Sequence, residues 1–143
     1  MGSKIVKILL VSFLLLFSYF PVIASEVTDL VRVGITDNQF QNVLRNEAKL
    51  YATSDCSICD KQTHRLLMSI PADVDISIKN TLAGLEVTVG SQTGILRDFV
   101  VVSPSGLIGI RNLARKGMPA LYHGAFEVVQ KADRLGFYLV NIV

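Results

Sequence analysis

Met118-Pro119-Ala120-Leu121-Tyr122-His123-Gly124-Ala125-Phe126-Glu127-Val128-Val129, followed after a polar break by Phe137-Tyr138-Leu139-Val140-Asn141-Ile142-Val143, decides the fold class. Phe126 and Val128 alternate with Glu127, the period of a strand with one buried face. Gly117 and Pro119 punctuate the chain before it. Gln130 to Leu135 is polar enough to turn, and Gly136 opens a second apolar run rich in aromatic and β-branched residues. The pair reads as a β-hairpin.

The same alternation recurs upstream. Val31, Val33 and Ile35 share one parity against Arg32 and Gly34. Ala48, Leu50 and Ala52 share another, which Cys56 and Ile58 continue. A turn at Asp60-Lys61-Gln62-Thr63 leads to Arg65–Ile70, a hairpin closed by Pro71. Val74, Ile76 and Ile78 alternate with Asp75, Ser77 and Lys79, and Leu85, Val87 and Val89 with Glu86 and Thr88. Phe99-Val100-Val101-Val102 is apolar on both faces, as a central strand is. Ser103-Pro104-Ser105-Gly106 stops it, and Leu107 to Ile110 is a short partner. Asp37 is placed to cap one or two helical turns carrying Phe40, Val43 and Leu44. Strands this regularly spaced predict a mainly β domain, a sandwich or partly closed barrel, with one short helical segment.

The first residues have a different composition. Lys4 and Lys7 precede the apolar stretch Ile8 to Phe20, and Pro21 leads to small residues at Ala24 and Ser25, the layout of a secretory signal peptide over residues 1–24. The alternative is an uncleaved anchor, because Ile8 to Ala24 approaches membrane-spanning length; any membrane attachment is expected only through that segment. The expected mature domain, residues 26–143, is therefore secreted or in the cell envelope. Without Lys4 and Lys7 the 14 basic side chains fall to 12, against 12 acidic ones. A neutral chain gives no footing for nucleic-acid binding. Arg111, Arg115 and Lys116 form only a small cluster, which reads first as a solvated turn.

Tyr122-His123-Gly124-Ala125-Phe126-Glu127 resembles the Tyr-x-Gly-x-Phe/Leu-Glu strand of the SpoIID/LytB family, the stage II sporulation protein D and amidase-enhancer group. Met118-Pro119-Ala120 stands where that family has a Leu-Pro-Ala-like turn, and Leu139-Val140-Asn141-Ile142-Val143 where it has Val-Val-Asn-x-Val/Leu. Val31-Arg32-Val33-Gly34-Ile35 extends the match to about the whole expected mature chain. The resemblance implies the N-terminal, non-catalytic β portion of a peptidoglycan-remodelling protein, with glycan strands or a cell-wall amidase as partners. In that family the proposed acid belongs to a Leu-Glu-Asp-Tyr-like segment just beyond the strand matching Phe137 to Val143. No residue here matches it, so the chain is expected to be truncated before the catalytic region.

Cys56-Ser57-Ile58-Cys59 admits four readings: incidental or structural thiols, a disulfide in an oxidising compartment, a metal site recruiting His64, or thiol redox chemistry. No apolar helical stripe follows it, as a redox site needs, and Cys56, Cys59 and His64 lack a fourth ligand for closed zinc. His123 and Glu127, four apart on one strand, would be separated by about 13 Å, too far for acid–base cooperation. Glu127 reads as an outward or partner-facing strand residue. There is no Gly-x-Ser-x-Gly elbow, phosphate loop or His-Glu-x-x-His. No catalytic residue, cofactor or metal is assigned from the sequence.

Overall fold

The computed structural model describes residues 30–37 and 41–143. The expected signal segment 1–24 lies outside them. The described residues form β1 (Arg32–Gly34), β2 (Leu44–Arg45), β3 (Glu47–Ala52), β4 (Cys56–Asp60), β5 (Leu66–Ile70), β6 (Ile76–Thr81), β7 (Gly84–Val89), β8 (Gln92–Leu96), β9 (Phe99–Val102), β10 (Ile108–Arg115), β11 (Met118–Tyr122), β12 (Ala125–Gln130) and β13 (Phe137–Ile142). The first sheet runs β1-β13-β12-β9-β4-β5, with β2 also on β13; the second runs β11-β10-β3-β6-β7-β8. Every pairing is antiparallel. Among the described residues both sheets end in open edges, so the fold is a two-sheet assembly and not a closed barrel.

Strand parity builds the core. Leu50 and Ala52 from β3, Ile76 and Ile78 from β6, and Leu85 and Val87 from β7 are buried together with Ile58, Phe99, Val101, Phe126, Val128, Phe137 and Leu139 of the first sheet. Each alternates with a more exposed neighbour, as packing one sheet face against another requires. The Phe99–Val102 run sits between β12 and β4. Val100 and Val102 are half-buried on the sheet's outer face, which explains a strand apolar on both sides.

The chain changes sheet at corners, and the corners are stitched by backbone bonds. Between β3 and β4, Thr53 N–H donates to Leu107 O at 2.9 Å, and Leu107 N–H donates to Thr53 Oγ1 at 2.9 Å. The β3 and β4 stretches, which share one parity in the sequence, thus belong to different sheets while both face the core.

The expected helical turn after Asp37 is corrected. Among the described residues there is no helix. Asp37 instead closes a loop: its carboxylate accepts from Gln41 N–H at 3.0 Å, and its own N–H donates to Asn42 O at 2.9 Å. Leu44 and Arg45 are extended and pair with Tyr138 and Phe137, so strand pairing overrides the helical spacing of Val43 and Leu44. Phe40 lies outside the described residues.

Candidate functional site

The residues of the Tyr-x-Gly-x-Phe-Glu stretch meet at the corner where the chain passes from β11 to β12, and each has a physical task. Gly124 has φ +82°, and a Cβ there would lie 2.0 Å from Ile142 O. Tyr122 packs edge-on against Phe126, with centroids 5.4 Å apart at 80°, and Phe126 is fully buried. Asn141, also buried, donates through Nδ2 to His123 O at 2.8 Å and Ala125 O at 3.0 Å, holding the carbonyls on either side of Gly124.

Glu127 lies on the outer face of the first sheet, in a row formed by Cys59, Val100, Glu127, Val140 and Gly34. Although it points outward from the sheet, Glu127 is only 6% exposed. Arg32, one row along on the same face, donates to both carboxylate oxygens, at 2.9 Å through Nη1 and also through Nη2. Lys61 Nζ stands 3.8 Å from Oε2. A buried carboxylate needs such partners. The two stretches that carry the family resemblance, Val31–Ile35 and Tyr122–Glu127, are therefore joined by this ion pair.

The thiol motif does not converge. Cys56 is buried on the core face of β4, Cys59 is half-buried on the opposite face, and both are free thiols. His64 is exposed in the β4–β5 turn at φ 59°. Among the described residues no group of three His, Cys, Asp or Glu side chains is placed to hold a metal. His123 sits at the bend before β12, so it does not share a continuous strand with Glu127.

Burial pushes the Cys56 thiol above its ordinary pKa, and Asp55 adds to the shift. Because the folded value is raised, the stabilising contribution is complete below the unfolded thiol value, about 8.5, and is lost as pH rises through the folded value. Iodoacetamide at neutral pH should modify Cys59 alone in the native protein and both thiols in urea, read by intact mass. Equal native rates for the two would contradict this burial.

A groove of about 560 Å³, walled by charged and aliphatic side chains alike, opens where β10 leaves β3. The two strands pair only through Ile108, Gly109 and Ile110; Asn112 then adopts φ 61° and the remaining residues diverge. From there the groove crosses the sheet to β7, lined by Lys49, Lys79, Glu86, Thr88, Arg111 and Arg45. Arg111 does not read as part of a solvated turn: it donates to Asp75 at 2.9 Å and stacks 3.6 Å from the Tyr51 ring centroid. Its expected cluster partner Arg115 bonds Thr36 O and Asp37 O. Arg45 donates through Nη2 to Thr36 O at 2.8 Å, while its Nε is buried with no acceptor among the described residues.

Sequence reasoning misses this groove, since Lys49, Lys79, Glu86 and Thr88 alternate with core residues as any wet sheet face does. Its only local signal is Arg111-Asn112, which interrupts the alternation of β10. The geometry defines a two-sheet β domain with a groove over one sheet and, on the other, a buried carboxylate paired to a half-exposed arginine. Comparison with family models, curated proteins and solved structures finds no match.

Proposed function

We propose that this protein is an exported, non-catalytic β-sandwich module of the SpoIID/LytB kind that binds the glycan strands of peptidoglycan in the groove between β3 and β10. The observation that carries the reading is the groove's lining. Donors from Lys49 and Lys79, the acceptors Glu47 and Glu86 and the hydroxyl of Thr88 suit a ligand dense in hydroxyl and amide groups. Both charge signs are interspersed, which fits a neutral polar polymer better than a polyanion. The resemblance supports the cell-wall setting, and the corner geometry supports a structural role for its most distinctive residues. The engaged carboxylate of Glu127 supports a binding role over glycan cleavage, which needs a carboxyl poised to give up a proton.

Titrating the purified protein with soluble glycan fragments from denuded peptidoglycan tests this. Lys49→Ala combined with Glu86→Ala should weaken binding about tenfold, near what loss of one or two net hydrogen bonds gives. The fold should be retained, since both side chains point to solvent. No binding by the parent protein, or equal binding by the double variant, would contradict the assignment.

A further inference from the structure

A second concave feature lies between β8 and the first sheet. Strand β8 ends the second sheet, and among the described residues it pairs only with β7. Its five residues, Gln92 to Leu96, carry no charge, no proline and no bulge, and they pair with β7 in unbroken register. Natural edges are usually blunted by one of those devices. The edge of the first sheet beside it is blunted: Cys59 faces Leu66 and Ile58 faces Met68, so Leu67 is the extra residue of a bulge.

Between these edges runs a cleft of about 530 Å³ lined by Ile58, Leu67, Met68, Val87, Val89 and Leu96. Gly94 creates it. Gly94 faces Val87, a core position, so a side chain there would point between the sheets. A Cβ built on Gly94 meets nothing within 4 Å. The sandwich is one aliphatic side chain short at this point, next to a row of backbone groups with no strand partner among the described residues.

Two arginines flank one end of the cleft, just beyond its lining. Arg97 follows Leu96 and Arg65 precedes Leu66, and neither forms an ion pair among the described residues. Arg97 also acts electrostatically on Asp60 at that end. The two carboxylates nearby are engaged elsewhere: Asp60 Oδ1 accepts from Gln62 and Thr63 N–H, and Asp98 Oδ1 from Gln130 N–H.

We propose that β8 receives an extended peptide strand from a partner protein, which seats an aliphatic side chain over Gly94 and sets an acidic residue against Arg97 and Arg65. Backbone pairing to the edge supplies affinity, and the alternate side chains entering the cleft supply specificity. A second copy of the chain fits less well. Pairing β8 with itself about Gly94 would set glycine against glycine and leave the cleft unfilled. The inference is independent of the glycan reading, since this cleft and the groove over β3 share no lining residue.

The test uses a labelled synthetic octapeptide, Asp-Thr-Val-Thr-Leu-Thr-Val-Thr, titrated into the purified protein by fluorescence anisotropy. Saturable binding is expected, with the β8 amides gaining protection from hydrogen exchange. Gly94→Val places a side chain in the cleft at a position free of backbone strain. It should raise the thermal midpoint while weakening the peptide about tenfold or more. Arg97→Glu with Arg65→Glu should weaken binding about tenfold, and a peptide with Lys in place of Asp should restore it. Absence of binding, binding indifferent to Gly94→Val, or a protein that dimerises through β8 and excludes the peptide would overturn the proposal.

Discussion

Gly124→Ala should unfold the domain or leave it barely stable. The chain turns from one sheet to the other at this residue with φ +82°, and the added methyl would sit 2.0 Å from Ile142 O, a backbone atom held in β13. The left-handed conformation costs a non-glycine residue about 1–2 kcal/mol, and moving a ladder strand in a packed core costs about 1–3 kcal/mol more. A small domain is stable by about 5–15 kcal/mol in all, so this one methyl removes a large share. The urea midpoint should fall accordingly. An unchanged midpoint would mean that the corner is built differently. The aromatic contact of Tyr122 on Phe126 and the Asn141 clamp depend on the same turn, so the damage should spread to both strands.

Removing either partner of the Arg32–Glu127 pair should destabilise the protein, and unequally. The Glu127 side chain is 9% exposed, whereas that of Arg32 is 53% exposed. Without Arg32, the carboxylate stays buried with only Lys61, at 3.8 Å. Without Glu127, the guanidinium can turn to water. Arg32→Ala should therefore cost about 3 kcal/mol, near the lower range for stranding a buried charge. Glu127→Gln should cost about 1–2 kcal/mol, because an amide can still accept from Arg32. Replacing both with leucine should recover much of the loss on a face already lined by Val100 and Val140. Chemical denaturation of the three variants gives the comparison, and equal single losses would contradict the burial asymmetry.

Much of the strand framework is legible because parity reports burial directly. Phe126 and Val128 against Glu127 mark β12, Leu85 and Val87 against Glu86 mark β7, and the doubly apolar Phe99–Val102 marks a central strand. Strand β8 is not legible, since Gln92, Thr93 and Gly94 lack the apolar residues that a core-facing edge normally has. Gly117 and Pro119 read as punctuation, yet Pro119 lies within β11, an edge strand where a missing N–H is tolerated. The helical spacing at Val43 and Leu44 is overridden by pairing to β13. The ion pair at Glu127 cannot be read locally, because its partner lies 95 residues away and only the sheet order brings the two together. The groove exists for a similar reason, where β10 and β3 diverge.

On the proposed function, the Tyr-x-Gly-x-Phe-Glu stretch builds a corner and anchors a buried carboxylate in a protein that holds glycan without cutting it. The most direct measurement is prolonged incubation of the purified protein with denuded glycan strands, with mass spectrometry of both bound and released material. Glycan retained on the protein, with no anhydro-ended fragments, is the expected result. Anhydro-ended products that disappear in Glu127→Gln, in a variant still folded, would contradict it and make that carboxylate catalytic.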